Sequence, residues 1–176
     1  MRPDRKPMIG HGGMIAGKIQ NIMIRRGKTL STAESCTGGR IASAVTAIPG
    51  SSDYFQGSVV AYQNEVKETL LGVGHDIIEH FNVVSREVVI EMVKGACRLF
   101  DTDYAIATSG CAGPGGGTED IPVGTIWIAY GSPGDIRTFR CEGDKGRVPN
   151  VEQAAEKSLE LFLEYLECME CDGSRF

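Results

Sequence analysis

Strand-like and helix-like segments alternate along almost the whole chain. Apolar, β-rich strand patterns cover 29–33, 55–62, 103–108, 123–130 and 136–141, and helical periodicity covers 14–26, 39–48, 64–73, 75–80, 85–100 and 151–169. Such alternation predicts a sheet with helices on both faces. The turn residues SPGD join the last two strands as a hairpin, so part of the sheet must be antiparallel. We therefore expect an α/β fold, a three-layer α/β/α sandwich with a mixed β-sheet.

The length of 176 residues fits a single domain with a proper core. Residues 1–12 contain prolines, glycines and charges without apolar periodicity, which predicts a flexible N-terminal tail. We expect one domain over 13–170 and a short C-terminal tail over 171–176.

The overall charge limits the classes of partner. A net charge of −5 argues against nucleic acid as a partner, which requires a basic face. No apolar run approaches the roughly 18 to 20 residues of a membrane span, and no hydrophobic stretch follows the first basic residues. We expect no membrane partner, and a cytoplasmic location.

A first polar loop follows the strand at 29–33. Its residues 32–39 read TAESCTGG, with hydroxyls on Ser35 and Thr37 and a glycine pair, Gly38 and Gly39, at the start of a helix. Glycines let a ligand approach the backbone, and a helix N-terminus supplies N–H donors. A ligand-binding loop and a tight turn with capping hydroxyls explain this pattern equally well.

A second group combines the Gly50-Ser51-Ser52 turn with Tyr62, Asn64 and Lys67 beyond the next strand. Asn64 can cap the following helix, which would place Lys67 in its first turn. The helix dipole there disfavours a cation, so burial would lower the pKa of the lysine and supply a neutral base for a serine. The residues alone favour the alternative, an ordinary surface lysine.

A third loop, 109–117, reads SGCAGPGGG beside a strand end. Its glycines indicate either a flexible lid or backbone amides aimed at an anion.

The sequence offers few residues for histidine-based catalysis, paired carboxylates or metal binding. The three histidines lie away from these loops, and Glu34 is the one acid inside a loop motif. Of the six cysteines, Cys168 and Cys171 form a lone CxxC, too few ligands for structural zinc, so we expect no metal site.

Three motifs in register resemble the CinA C-terminal domain family. They are TAESCTGG, PGSSDYFQGSVVAYQNEVK and SGCAGPGGGTEDIPVGTIW, and the likeness covers roughly residues 14–168. Characterised stand-alone members of that family hydrolyse the carboxamide of nicotinamide mononucleotide (NMN) to nicotinate mononucleotide and ammonia. The resemblance thus implies a serine–lysine amidohydrolase without cofactor or metal, acting as a homo-oligomer of at least two subunits.

Carried over by motif, the resemblance makes Ser52 the nucleophile and Lys67 its base, with Tyr62 and Ser35 assisting in positioning and proton transfer. It also implies residues that hold the substrate or supply oxyanion donors: Thr37, Gly38, Gly39, Asn64, Ser109, Gly110, Gly113, Gly115 and Gly116.

One segment departs from the family pattern. Relatives read GDR, a short spacer and a helix-entry arginine, whereas this chain has Lys145 in the GDR position and a longer, proline-containing spacer. Arg147 is the candidate replacement for substrate binding, although lysine and arginine are not equivalent toward phosphate or carboxylate. Two alternatives follow: a non-catalytic nucleotide-binding or regulatory module linked to competence or the DNA damage response, and a deamidase for a different amide.

Overall fold

A computed structural model describes residues 11–173 of the chain. The helices are α1 (His11–Arg26), α2 (Arg40–Thr46), α3 (Asn64–Leu71), α4 (His75–Phe81), α5 (Arg86–Phe100) and α6 (Arg147–Gly173). The strands are β1 (Leu30–Glu34), β2 (Phe55–Val60), β3 (Tyr104–Gly110), β4 (Ile126–Ser132) and β5 (Asp135–Cys141). A short 3-10 turn, Ser51–Asp53, precedes β2.

The strands form one mixed sheet in the order β2-β1-β3-β4-β5. Strand β1 pairs in parallel with both β2 and β3, while β4 and β5 add the antiparallel hairpin that the turn residues predict. Glu34 at the end of β1 lies opposite Val60 and Thr108 on its two neighbours. The carboxyl ends of these three strands therefore meet at one edge, called here the carboxyl edge.

Helices cover both faces, as expected for a three-layer α/β/α sandwich. One core joins α1, α2 and α6 to the sheet through residues such as Ile19, Ile41 and Phe162. The other joins α3, α4 and α5 to the opposite face through residues such as Leu71 and Met92.

Two local features fix the helices on the second face. The Ser85 side chain caps α5 by accepting from the Val88 N–H, as its position predicts. Gly95 lets α3 approach α5 closely, because a Cβ there would lie 2.1 Å from the Leu71 carbonyl oxygen. This contact holds α3, the helix that carries Lys67, against α5.

The helix ends differ from their predicted positions. Helix α1 begins at His11, inside the predicted tail 1–12, and α6 runs from Arg147 to Gly173, beyond the predicted helix ends at 151 and 169. Pro149 falls in the first turn of α6, where its missing N–H costs nothing. Residues 1–10 and 174–176 of the predicted tails lie outside the described residues.

The predicted cap of α3 is also corrected. Gln63 is the cap residue, without a side-chain hydrogen bond, and Asn64 is the first residue of the helix. No helix in the described part of the chain is long and apolar enough to cross a membrane.

Candidate active site

A small cavity of about 200 Å³ opens at the carboxyl edge of the sheet. Residues from four loops, the end of β3 and the starts of α3 and α6 line it: Ser35, Cys36, Tyr62, Asn64, Lys67, Val83, Val84, Ser109, Gly110, Ala112 and Arg147. The cavity collects most of the polar residues that the sequence singles out. Ser52 is not among them.

Lys67 is the most unusual group in this cavity. Its side chain is 1% exposed, although lysines are almost never fully buried without a partner. The amine contacts the Ser35 hydroxyl at 3.2 Å and donates to the carbonyl oxygens of Ala61 and Tyr62 at 2.7 and 3.4 Å. Two carbonyls thus take two amine hydrogens, and the third direction faces Ser35.

Burial lowers the pKa of Lys67 below its usual value of 10.5, because desolvation penalises the ammonium form. No carboxylate of the described residues pairs with Lys67 to oppose this effect. A neutral amine held by two carbonyls points its lone pair at the Ser35 hydroxyl. The pair Ser35–Lys67 therefore has the geometry of a nucleophile and its general base.

The structure does not bring Ser52 to Lys67. Ser52 lies exposed in the 3-10 turn before β2, while Tyr62 and Lys67 follow that strand. Since the six residues of β2 span about 20 Å, Ser52 and Lys67 sit near opposite ends of the sheet. The structure therefore does not place Ser52 beside Lys67, and Ser35 is the serine in contact with the Lys67 amine.

Cys36 lies next to Ser35 but is a poor nucleophile. Its side chain is buried, and this burial raises the pKa of the thiol to about 12. Lys67 lowers that pKa by a smaller amount. The thiol stays protonated at neutral pH, so the reactive thiolate form is scarce.

The glycine-rich loop after β1 binds the side chain of Glu34, a buried carboxylate of the protein itself. The buried Glu34 carboxylate accepts from the Thr37 hydroxyl at 2.7 Å and from the Gly39 N–H at 3.0 Å. None of Thr37, Gly38 and Gly39 lines the cavity. The Thr37 hydroxyl and the Gly39 N–H thus bind the protein's own carboxylate, and the Gly38 N–H donates to the Ser35 carbonyl, so a role of this loop in holding the substrate phosphate lacks structural support.

Arg147 reaches the cavity from the first residue of α6. Its guanidinium donates to the Gly113 carbonyl at 2.7 Å and to the Tyr62 hydroxyl at 2.9 Å. Both Tyr62 and Arg147 are exposed, so this pair forms part of the cavity mouth. The Asn150 amide donates to the Ala112 carbonyl at 3.2 Å and ties the start of α6 to the third loop. The segment 143–150, which differs from the family pattern, thus places Arg147 at the mouth of the cavity.

The remaining predicted residues fall into two groups. Asn64, Ser109 and Gly110 line the cavity, with the Ser109 hydroxyl committed to the Val83 carbonyl at 2.8 Å. Gly115 and Gly116 are exposed and lie outside the cavity lining. A substrate-binding role for these two glycines lacks structural support.

A larger groove of about 940 Å³ adjoins the cavity and shares Asn64, Val83 and Val84 with it. It runs between α4, the start of α5 and the loop around Thr118. The charged side chains that line this groove include Glu79, Arg86, Glu87 and Asp120. Pockets for small ligands usually measure about 300 to 1,000 Å³, so a substrate larger than a single ring must extend out of the small cavity.

Metal ligands and cysteine pairs form no second site in the part of the chain that is described. Within that part, no group of three or more His, Cys, Asp or Glu residues could hold a metal ion. Cys168 is exposed and unpaired, whereas the side chain of Cys171 lies outside the described residues, so the role of the CxxC pair stays a prediction.

The sequence motifs did not predict that Ser35 lies beside Lys67 or that Ser52 lies far from it, although the strand order implies both. Ser35 follows β1 and Lys67 follows β2, and adjacent parallel strands bring their carboxyl ends together. Ser52 precedes β2, which places it at the other end of the sheet. The contribution of Val83 and Val84 carries no signal of this kind, because it depends on how α4 and α5 pack.

Comparison with known proteins agrees with this architecture. Residues 13–166 match the CinA C-terminal domain. A CinA-like protein of Fervidobacterium nodosum is 48% identical over 129 residues, covering 72% of this chain and 32% of the relative. The chain therefore spans about a third of the length of this curated relative.

Solved structures match over nearly their whole length. The competence/damage inducible protein CihA of Agrobacterium tumefaciens superposes with a TM-score of 0.85 at 36% identity, covering 90% of this chain and 96% of that protein. A CinA superfamily protein of Klebsiella pneumoniae has a TM-score of 0.85 at 34% identity, with 89% and 98% covered.

Proposed function

The chain belongs to the CinA C-terminal domain family, and we propose that it is an amidohydrolase that converts NMN to nicotinate mononucleotide and ammonia with Ser35 as nucleophile and Lys67 as base. The observation that carries this proposal is the contact between the buried Lys67 amine and the Ser35 hydroxyl at 3.2 Å. A buried lysine without a carboxylate partner is costly, which favours a catalytic over a structural role.

Acylation begins when neutral Lys67 takes the proton of the Ser35 hydroxyl and the oxygen attacks the carboxamide carbon. The tetrahedral intermediate collapses as the Lys67 ammonium returns that proton to the leaving nitrogen, which departs as ammonia. Ser35 is left as an ester of the nicotinoyl group. Lys67 is again neutral and can activate a water molecule.

Deacylation repeats the same steps with water. Lys67 takes a proton from the water, whose oxygen attacks the ester carbonyl, and the ammonium then returns the proton to the Ser35 oxygen. The products are nicotinate mononucleotide and free enzyme. Backbone N–H groups near Ser35 would stabilise the negative oxygen in both stages, and each such donor contributes roughly 3 to 4 kcal/mol.

A nucleotide substrate is supported by the cavity mouth. The cavity of about 200 Å³ holds a ring and its carboxamide, and the rest of the molecule must pass the mouth. Among the described residues, the partners of Arg147 there are both neutral, the Gly113 carbonyl and the Tyr62 hydroxyl. An anion can replace these partners in a charge-assisted pair, which is the stronger interaction.

The test is an ammonia-release assay on purified protein with NMN, nicotinamide and glutamine side by side. We expect ammonia from NMN and none from the other two, and none from the Ser35→Ala variant. Ammonia from glutamine or nicotinamide alone would assign a different amide. Tight NMN binding without ammonia would overturn the enzyme assignment in favour of a binding module.

The same family likeness supports a cytoplasmic homo-oligomer of at least two subunits. Light scattering on the eluting protein measures its mass directly. A mass of one chain, 18.9 kDa, at micromolar concentration would contradict this part of the proposal.

A further inference from the structure

The backbone N–H groups that follow Ser35 are nearly all committed to acceptors. The Ser35 N–H donates to the Thr108 carbonyl at 3.0 Å, and the Gly38 N–H donates to the Ser35 carbonyl at 3.1 Å. The Arg40 N–H donates to the Thr37 carbonyl at 3.2 Å. Buried backbone donors normally find such partners, so any that lack one need an explanation.

Three further N–H groups converge on Glu34. Its carboxylate oxygens accept from Gly39, Ile41 and Ala42 at 3.0, 3.1 and 2.8 Å, and from the Thr37 hydroxyl at 2.7 Å. Glu34 itself has no exposed surface. A single carboxylate therefore accepts the N–H donors at the start of α2 and links the two ends of the segment 34–42 by hydrogen bonds.

Two N–H groups in the stretch 35–42 remain, those of Cys36 and Thr37. No oxygen of the described residues accepts a hydrogen bond from either. The Cys36 N–H lies near its own sulfur, where it lowers the pKa of the thiol, and Thr37 does not line the cavity. Cys36 lines the cavity beside Ser35, and its N–H belongs to the residue directly after the nucleophile. In serine hydrolases with a sharp turn at the nucleophile, that position supplies an oxyanion donor.

We propose that the Cys36 N–H is the oxyanion donor next to Ser35 and that Glu34 is the positioning residue that keeps this N–H available. The carboxylate draws the other donors of the loop to itself, so the turn after Ser35 cannot fold back on this group. This assignment rests on Ser35 being the nucleophile, as proposed above.

Glu34→Gln tests the positioning role with the smallest change of shape. Both carboxylate oxygens accept from backbone N–H groups, so either orientation of the amide sets its NH₂ against a donor. We expect the loop to shift, kcat to fall at least about 100-fold and KM to stay within a few-fold, since an oxyanion donor acts only in the transition state.

A probe of Ser35 that does not depend on NMN separates the two proposals. We choose the burst of p-nitrophenol from p-nitrophenyl acetate and the affinity for phenylboronic acid. The boron of its serine adduct is tetrahedral and negatively charged, so the adduct resembles the tetrahedral intermediate. Glu34→Gln should slow the burst and weaken boronate binding by about 100-fold. Thr37→Val, which removes one of the hydrogen bonds to Glu34, should have a smaller effect in the same direction.

Thr102→Val is the matched control. It removes a buried hydroxyl pair, the 2.7 Å contact with Ser31 at the opposite end of the sheet, and should lower the melting temperature without changing the burst. A folded Glu34→Gln protein, or a folded Thr37→Val protein, with wild-type burst and boronate affinity would overturn the positioning role. A wild-type protein that forms the Ser35 adduct but leaves NMN intact would overturn only the proposed substrate.

Discussion

The two ends of the parallel strands treat their lysines in opposite ways. At the amino end, Lys28 donates to Asp103 at 2.7 Å, and this hydrogen bond raises the pKa of the amine. At the carboxyl edge, burial lowers the pKa of Lys67, whose partners are two carbonyls and the Ser35 hydroxyl. The amino end stabilises an ammonium ion, whereas the carboxyl edge favours a neutral base.

The serines differ in the same way. Ser31 near the amino end is paired with Thr102, and Ser52 lies exposed in its turn. Ser35 is buried beside a lysine with a lowered pKa. The comparison teaches that the chemistry depends on which end of a strand a residue follows, and less on the residue type alone.

The largest expected effect separates Ser35 from Ser52. Ser35→Ala should reduce NMN turnover by at least about 1,000-fold, because the covalent route is lost. Ser52→Ala should keep turnover within about twofold, because surface substitutions seldom alter a distant site. Steady-state ammonia release measures both. Loss of turnover in Ser52→Ala with wild-type rates in Ser35→Ala would reverse the comparison.

Lys67→Met should reduce turnover by at least about 100-fold, on the scale of a lost general base. In the wild type, the active form is the neutral amine, so turnover should rise with pH through a midpoint below 10.5, the usual lysine value. The folded pKa lies below the unfolded one, so wild-type stability also rises with pH through this range. Lys67→Met removes that penalty, and its melting temperature at pH 7 should equal or exceed that of the wild type. A lower melting temperature would assign Lys67 a structural role.

Arg147→Ala tests the cavity mouth. It should raise KM for NMN by about tenfold, the effect of one lost charge-assisted contact, and change kcat little. Arg147→Lys should recover only part of this, because an ammonium cannot reproduce the guanidinium fork. The matched control is Arg137→Ala on β5, which lies opposite Tyr130 and away from the carboxyl edge. A fall in kcat at constant KM would move Arg147 from binding to catalysis.

Cys36→Ala should have the smallest effect, within about threefold on turnover, because the thiol is protonated at neutral pH and the backbone N–H is retained. Iodoacetamide at pH 7 should spare most of the activity for the same reason. Inactivation of the wild type together with a dead Cys36→Ala protein would indicate a thiol enzyme.

Much of the fold follows from residue patterns. The apolar strands, the SPGD hairpin and the Ser85 cap predict the mixed sheet and most helix starts. The start of α6 was not predicted from the sequence, because Pro149 indicates an irregular spacer before the helix. The segment before the helix instead folds onto the first turn of α6, with the Asp144 carboxylate accepting from the Gly146 N–H and the Asn150 amide.

The site was predictable in its members but not in its pairings. Lys67, Tyr62, Ser35 and Arg147 all reach the cavity, as their motifs suggest. The role of Glu34 needed coordinates, since the Thr37 hydroxyl and the Gly39, Ile41 and Ala42 N–H groups converge on it only after the loop has folded. The same holds for the Cys36 N–H, whose lack of an oxygen acceptor is seen only once the other backbone donors are assigned.

The most direct measurement is the location of the covalent intermediate. The protein would be treated with p-nitrophenyl acetate or a fluorophosphonate, digested and sequenced by tandem mass spectrometry, with Lys67→Met as the control for base-dependent labelling. The account predicts one modified serine, Ser35, and much slower labelling in Lys67→Met. An adduct on Ser52 or Cys36, or labelling of Ser35 that is indifferent to Lys67, would contradict it.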